Sequence, residues 1–563
     1  MLRVWDGIVW ICVVFPLLTG GVWIHRPGFK LELAELSAPV AIVAILGFCL
    51  ARFGKIRVQD ASSFKLAARL WERWRVALEA RPGQTLFWGW LFFGTLWAAA
   101  ALFRHWHFGS HAGDLGIFTS AIWNLVHDNG YVSSVKNGMN LFQDHQSPIF
   151  WLLAPAFRIL PRPEILLAAQ SYGLAAGAVA LCGVARQLSR DEDGGLRGWG
   201  WAALPLLYWA YAPTRNANLF DFHPETLMLP CALAFVYFSQ KDSWLSRLAA
   251  AAFLLLTLGA KESGGIMVAA LGLAFATGFG RRRALGVLLI PIGIGAFLFD
   301  IKVVPGWVGG NYSYLGNYSS LGTGVGGLLL APILKPVEFW SMIFQASRFK
   351  FLAATLGPLA FLPLANWRGM LIAAAGYLPL FLDPGSHRVG LGYHYSIEPS
   401  IGLFLAMPGA LLWAQERAPL VIRRNAGVIV LFFAAVFFGR SEPYVIRRNW
   451  PDAHDEWLQA VALPLVKAPS VSASGALVPH LIQRPWVHHL PNIEIPAKGP
   501  VDCLVFDSRV NNYPLSPEQF RGYETGAVGQ AFRLEYECGG FKVYRREGAE
   551  ACLSTGPSCG GNI

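Results

Sequence analysis

The sequence predicts an all-α polytopic membrane protein with a small α/β domain at its C-terminal end, and three observations lead there. First, of 563 residues 54% are hydrophobic and only 14% charged, whereas soluble domains carry about 25% charged residues. Second, apolar runs close to the length of a bilayer crossing recur as far as residue 438. Third, the remaining tail is polar and carries strand-like alternation instead of long apolar runs.

The runs lie near 8–24, 36–51, 86–103, 164–186, 198–213, 225–239, 245–260, 264–279, 284–302, 350–366, 369–382, 397–414 and 420–438, about thirteen spans. The opening "MLRVWDGIVWICVVFPLLTGGVWIHRPG" has a weakly basic start and no small-residue cleavage site after its apolar part, so it reads as a first span and not as a signal peptide. With 22 tryptophans, the chain is rich in a residue that favours membrane interfaces.

Lys and Arg collect on the cytoplasmic side of membrane proteins. With the N-terminus inside, the inner loops hold 21 of them and the outer loops before the tail hold 13, although the outer loops are longer. This orientation places 104–163, 214–224, 261–263, 303–349, 383–396 and the tail outside the cytoplasm. The net charge of +11 comes from residues scattered between apolar runs; no contiguous basic face exists for nucleic acid.

Three regions follow. Residues 1–85 hold two spans and a basic inner loop, residues 86–438 form the membrane core with the large outer loop 104–163, and residues 439–563 form the extracytoplasmic tail domain. In the tail, "SVSASGALVPHLIQ" reads as a strand running into a helix, "VDCLVFDS" as a strand, and "FRLEYECGGFKVYRRE" as a hairpin about Gly-Gly. Cys12, Cys49, Cys182 and Cys231 sit in apolar runs as small buried thiols. Cys503, Cys538, Cys552 and Cys559 lie in the tail, where one or two disulfides are expected outside the cytoplasm, with the pairing open.

The chemistry-bearing residues fall almost entirely in the outer segments. "HFGSHAGDLGIFTSAIWNLVHDNG" (107–130) carries Asp114 at the start of a run whose apolar spacing suits a helix in the membrane interface. Asp114 there has two readings, a cap on the free backbone N–H groups and a general base. "NLFQDHQSPIF" supplies Asp144 and His145; "TRNANLFDFHPE" supplies Arg215, Asp221, His223 and Glu225; "LGAKESGG" supplies Lys261 and Glu262; "HRVGLGYHYSIEP" supplies His387, Arg388, Tyr393, His394, Tyr395 and Glu398. Ionisable groups at span ends are costly unless paired or hydrated, so four such clusters on one side point to a polar cavity.

Such a cavity suits glycosyl transfer from a polyprenyl-phosphate sugar. A carboxylate takes the proton of an acceptor hydroxyl, cations such as Lys261, Arg215 or His223 stabilise the departing phosphate, and a groove between spans holds the lipid. Three- or four-ligand metal spacing is absent; a divalent cation, Mg or Mn, bridging Asp114, Asp221 and a phosphate stays open beside plain hydrogen-bonded pairs. The Gly-rich "GWVGGNYSYLGNYSSLGTGVGG" (306–327) lacks the ending of a phosphate-binding loop and is either a flexible outer loop or an aromatic-lined lid.

Taken in order, "GDLGIFTSAIWN", "FQDHQSPIFWLLAPAFRILPRPEILLAAQS", "DFHPE", "AKESG", "YHY" and "VSASGALVPHLIQRPWVHHLP" resemble a large family of bacterial and archaeal polytopic membrane proteins known as a domain of unknown function. The resemblance runs from about residue 85 onward. That family is in turn similar, more remotely, to the GT-C glycosyltransferase superfamily. The resemblance implies a GT-C-like fold, a lipid-phosphate sugar donor, Asp114 at the position of the catalytic base, and Lys261 and Glu262 at a Lys-Glu pair near an outer span end. It names neither sugar nor acceptor, be it glycan, lipid or protein.

The expectation is therefore a membrane glycosyltransferase at the outer face of a bacterial cytoplasmic membrane, with Asp114 as base. A transporter or flippase of lipid-linked intermediates, and a non-catalytic scaffold, are the competing readings. No paired half-repeat of the transporter kind is visible. A cavity joining Asp114 to a lipid-accessible groove separates the enzyme from the scaffold.

Overall fold

The computed structural model describes residues 2–19, 22–26, 29–33, 43, 61–190, 198, 200–417, 419, 433–527, 531–556 and 558–559. The expected span 36–51, apart from residue 43, and most of 420–438 lie outside them.

The described chain is mostly helical. Among the described residues four helices are long and apolar enough to cross a membrane: Pro82–Trp106, Pro163–Leu188, Arg283–Trp307 and His394–Glu416. Shorter apolar helices, among them Pro224–Ser239, Trp244–Leu258, Gly264–Ala276 and Trp367–Leu382, pack between them. Small residues decide how closely these helices approach, because in lipid the packing of backbones replaces the hydrophobic drive. Gly265 and Gly272 face Gly286 and Gly293: a Cβ on Gly265 would lie 2.6 Å from the Gly293 carbonyl oxygen, and one on Gly293 would lie 2.4 Å from the Ala269 nitrogen. The same device joins Trp367–Leu382 to Ile397–Glu416, where a Cβ on Gly402 would lie 2.1 Å from the Ala373 nitrogen. These two contacts fix the span ends that carry Lys261–Ser263 and His394–Glu398.

Three segments differ from the sequence expectation. The first helical stretch occupies Leu2–Thr19, and Val22–Arg26 pairs with Phe29–Leu33 as a hairpin where the first run had been carried on to residue 24. In the run 350–366 the α-helix Ala346–Leu356 ends at Leu356 and the short 3-10 turns Gly357–Leu359 and Leu362–Ala365 follow, because Gly357-Pro358 and the positive φ values of Ala360 and Phe361 turn the chain. Residues 324–343, read as outer loop, form the helices Gly324–Leu334 and Pro336–Ile343 at 94° to each other. Pro336 starts the second helix, and the Lys335-Pro336 break had kept either half from reading as a span.

In the tail, a five-stranded sheet runs in the order Phe532–Cys538, Phe541–Arg546, Cys503–Asp507, Ser470–Ala473, Trp486–His489. The Gly-Gly hairpin is antiparallel, and Ser470–Ala473 is parallel to both of its neighbours. Every residue of Ser470–Ala473 and Cys503–Asp507 is buried, as central parallel strands require. Disulfides join Cys503 to Cys552 and Cys538 to Cys559, while Cys182 and Cys231 are free and buried.

This sheet is packed on the large loop. Phe118, Ile122, Phe150 and Phe222 share one apolar core with Trp457, Val471, Val478, Val505 and Phe541. Polar contacts sharpen the fit: Ala112 N donates to the Gly475 carbonyl at 3.0 Å, and His111 Nε2 lies 2.6 Å from the Tyr513 carbonyl oxygen. A Cβ on Gly475 would stand 2.3 Å from His111 Nε2 and 2.5 Å from that same oxygen. Gly475→Ala is therefore expected to destabilise the chain by about 1–3 kcal/mol, as overpacking does, with a lowered melting temperature of the solubilised full-length protein as the readout. An unchanged melting temperature would mean that the loop and sheet are not locked here.

Candidate active site

Asp114 does not cap a helix. The Ala112–Gly116 turn is wide, and its first free N–H, that of Gly113, is accepted at 3.1 Å by His111 Nδ1. Nor does the following helix, Ile117–Val126, lie with one oily face in an interface, since Ile117 through Ile122 are all buried. Relieved of capping, the Asp114 carboxylate reaches His223, with Oδ1 3.1 Å from Nε2. The Asp114 side chain remains 29% exposed, and Oδ2 takes no hydrogen bond from any described residue.

A chain of contacts leads on from His223. Its ring stacks on that of His394 with centroids 3.6 Å apart. His394 Nε2 is 2.9 Å from Glu225 Oε1, and Lys261 Nζ donates to the same oxygen at 2.8 Å. On the other wall Lys136 pairs with Asp144 at 2.5 Å, and His145 stacks on Tyr314 at 4.6 Å. His145 Nδ1 lies 3.1 Å from Glu262 Oε1, which also accepts from Tyr312 OH at 2.6 Å. Arg388 pairs with Asp383 at 3.2 Å and lies over Tyr395, 5.6 Å from the ring centroid.

Two cavities meet at these residues. A polar chamber of about 170 Å³ is lined by Asp114, Lys136, Asp144, His145, His223 and Glu225, with Lys261, Tyr314, Arg388, His394 and Tyr395. A larger groove of about 660 Å³ shares seven of these residues, His145, Glu225, Lys261, Tyr314, Arg388, His394 and Tyr395, and runs on between apolar side chains such as Ile294, Phe297, Leu329 and Phe339. In the chamber, Asp114, Asp144 and Glu225 face Lys136, Lys261 and Arg388.

The charges outside the spans follow from these contacts. Burial acts to raise the Asp114 carboxyl, but the hydrogen bond and positive charge of His223 outweigh it and hold the group below the usual carboxylate value. Burial acts to lower His223, and the bond to Asp114 with nearby carboxylates raises it above the usual histidine value. Each therefore favours the charged form of the other. Burial opposes the Lys261 charge too, and Glu225, Glu262 and Glu398 more than restore it.

Of the residues singled out from sequence, Asp114, Asp144, His145, His223, Glu225, Lys261, Arg388, His394 and Tyr395 line the chamber, and Glu262 and Glu398 line the adjoining groove. Arg215 and Asp221 do not. Arg215 is buried against Glu442, with its guanidinium donating to the carbonyls of Phe438 at 2.8 Å and Arg440 at 2.5 Å, and it lines neither cavity, so these contacts hold it away from a phosphate in the chamber. Asp221 accepts from Arg104 at 2.5 Å and from His111 N at 3.0 Å, at φ 127°, a conformation rare outside glycine. It holds His111, three residues before Asp114. Among the described residues no three His, Cys, Asp or Glu side chains are arranged to hold a metal ion. Lys136, Tyr312 and Tyr314 were not singled out; the two tyrosines come from the Gly-rich stretch, whose aromatic-lid alternative pointed to them.

Crystal structures of ArnT from Cupriavidus metallidurans are similar to this chain: the apo form at 12% identity and TM-score 0.45, over 85% of this chain and 98% of that one. The form bound to undecaprenyl phosphate matches at 11% identity and TM-score 0.44, over 81% and 97%. No curated protein matches the sequence. The model of the predicted membrane protein family DUF2079 matches residues 104–498, most of the chain, and the protein belongs to that family.

Proposed function

We propose that this multi-pass membrane protein is a glycosyltransferase that moves a sugar from a polyprenyl phosphate to a hydroxyl acceptor, at the outer face of the bacterial cytoplasmic membrane, with the N-terminus inside. The observation that carries this reading is the continuity of the Asp114 chamber with the apolar groove through seven shared residues. The groove takes the lipid and the chamber takes the phosphate-linked sugar. Asp114 Oδ2 accepts the acceptor hydroxyl's proton as its oxygen forms a bond to the anomeric carbon. The bond from that carbon to the phosphate oxygen breaks, and its electron pair leaves on the polyprenyl phosphate, countered by Lys136, Lys261 and Arg388. One displacement inverts the anomeric configuration, in contrast to the two-carboxylate retaining scheme. Asp221 is buried and lines neither cavity, so of the two carboxylates expected to bridge a divalent cation Asp114 alone faces the chamber; chelator treatment tests for a cation there.

The test is reconstitution of the full-length chain with radiolabelled polyprenyl-phosphate sugars and an envelope extract as acceptor. The reading expects label in an inverted product and free polyprenyl phosphate. Label retained on the lipid but carried across the bilayer would favour the flippase reading, which the bent helix pair Gly324–Leu334 and Pro336–Ile343 beside the groove favours.

The His223 pair gives a pH prediction. Asp114 lies below the usual carboxylate value, so in the wild type it stays ionised into acid and the rate falls only as pH drops through that lowered value. In His223→Gln the lowering influence of the imidazolium is gone while burial, which raises the group, remains. The acid limb of the rate profile should move to higher pH. A limb that stays in place, or moves to lower pH, would detach Asp114 from the rate.

A further inference from the structure

The Pro82–Trp106 helix spans 25 residues, or ~37 Å at 1.5 Å per residue, so its start lies at the opposite end from the Asp114 loop. There it forms a groove with the preceding helix, Ser62–Ala80. The groove has a volume of about 660 Å³ and is lined by Arg69, Arg73 and Val76 from one helix, and by Arg81, Gln84 and Trp88 around the start of the other. Positions 69, 73 and 76 share one face of the first helix. Its opposite side is committed to the protein: Leu78 is fully buried, and Trp74 Nε1 donates to the Ala202 carbonyl at 2.8 Å.

The charge of this groove is unbalanced. Glu72 also borders it, but Arg75 holds Glu72 at 2.7 Å and Glu79 at 3.0 Å. Arg69, Arg73 and Arg81 are exposed, and among the described residues no carboxylate pairs with them. Directly beyond the arginines the surface turns apolar, with Trp88 58%, Phe87 49% and Phe92 62% exposed on a helix apolar enough to cross a membrane. A soluble anion would use the guanidinium groups and leave that apolar strip in place. A lipid uses both, since guanidinium groups fork onto phosphate oxygens and Trp88, a residue type that favours the head-group level, lines the groove beside them.

We propose that this groove is a binding site for the phosphate head group of an anionic phospholipid, with the acyl chains lying along Trp88 and Phe92. It lies outside the family-matched residues 104–498 and is independent of the transfer reaction. Basic clusters beside a span attract anionic lipid by about fivefold per charge.

Full-length protein, stripped of lipid in a neutral detergent, is titrated with phosphatidylglycerol or phosphatidylcholine, and bound lipid is counted by native mass spectrometry. The wild type is expected to prefer phosphatidylglycerol by at least about tenfold. The triple variant Arg69→Gln, Arg73→Gln, Arg81→Gln should lose that preference. A control with the same charge removed elsewhere, Arg247→Gln, Arg281→Gln, Arg283→Gln, should keep it. Should the first triple fail to fold, Arg73→Gln alone, at an exposed mid-helix position, is expected to weaken phosphatidylglycerol binding about fivefold. Equal binding of the two lipids by the wild type, equal loss in the control triple, unchanged binding in Arg73→Gln, or full displacement by inorganic phosphate would each overturn the proposal.

Discussion

Replacing Asp114 by asparagine is expected to lower sugar transfer by about 10²–10⁴-fold, the range a positioned general base supplies, with membrane insertion and melting temperature unchanged. The substitution keeps the shape of the side chain and a carbonyl oxygen that can still face His223 Nε2, and removes only the capacity to take a proton. Little stability is at stake, because the carboxylate is 29% exposed and its one side-chain hydrogen bond among the described residues is that to His223. The other chamber carboxylates are poor substitutes: Asp144 is held by Lys136 at 2.5 Å, and Glu225 by Lys261 at 2.8 Å and His394 at 2.9 Å. Each lies against a lysine ammonium that disfavours protonation, and both side chains are buried where that of Asp114 is open. Full transfer by the Asn variant in the labelled-donor assay would remove Asp114 from the reaction.

Much of the chamber was legible because charge near a membrane is expensive. Asp114, Asp144, His145, His223, Lys261 and His394 stand at the ends of apolar runs, where an unpaired ion is costly, and each is in fact paired or stacked at one cavity. What residue type alone does not disclose is the partner. Arg215 and Asp221 carry the same chemical label as the lining residues, yet Arg215 answers to Glu442, 227 positions away, and Asp221 to Arg104, 117 positions away. Lys136 was passed over because it sits in a polar stretch with no local periodicity; only folding of the large loop against the spans brings it beside Asp144. The capping reading of Asp114 failed for a local reason: the helical turn starts at Ala112, upstream of Asp114, so the N–H groups of Gly116 and Ile117 that an Asp114 cap would take already donate to the His111 and Ala112 carbonyls. The bent pair at 324–343 escaped notice because the run is divided at Lys335-Pro336, and a hydropathy window tests each half alone.

Arg215 supplies the second large effect, and it separates an anchor from a phosphate ligand. Its side chain is 3% exposed and that of Glu442 is 7% exposed; the guanidinium also lies 3.8 Å from the Phe438 ring centroid. It therefore ties the stretch 438–442, the entry to the tail, to the Ala212–Leu219 helix, which packs against the Pro82–Trp106 and Pro163–Leu188 helices. Arg215→Met leaves the Glu442 carboxylate and two carbonyls without their donor. Breaking a buried pair on one side costs about 3–5 kcal/mol, so a marked fall in the melting temperature of the solubilised chain is expected. Adding Glu442→Leu to the same variant should restore much of it, because an apolar pair of similar volume leaves no buried charge alone. A phosphate ligand would behave in the opposite way, with an unchanged melting temperature, a raised donor KM, and no rescue by the second substitution.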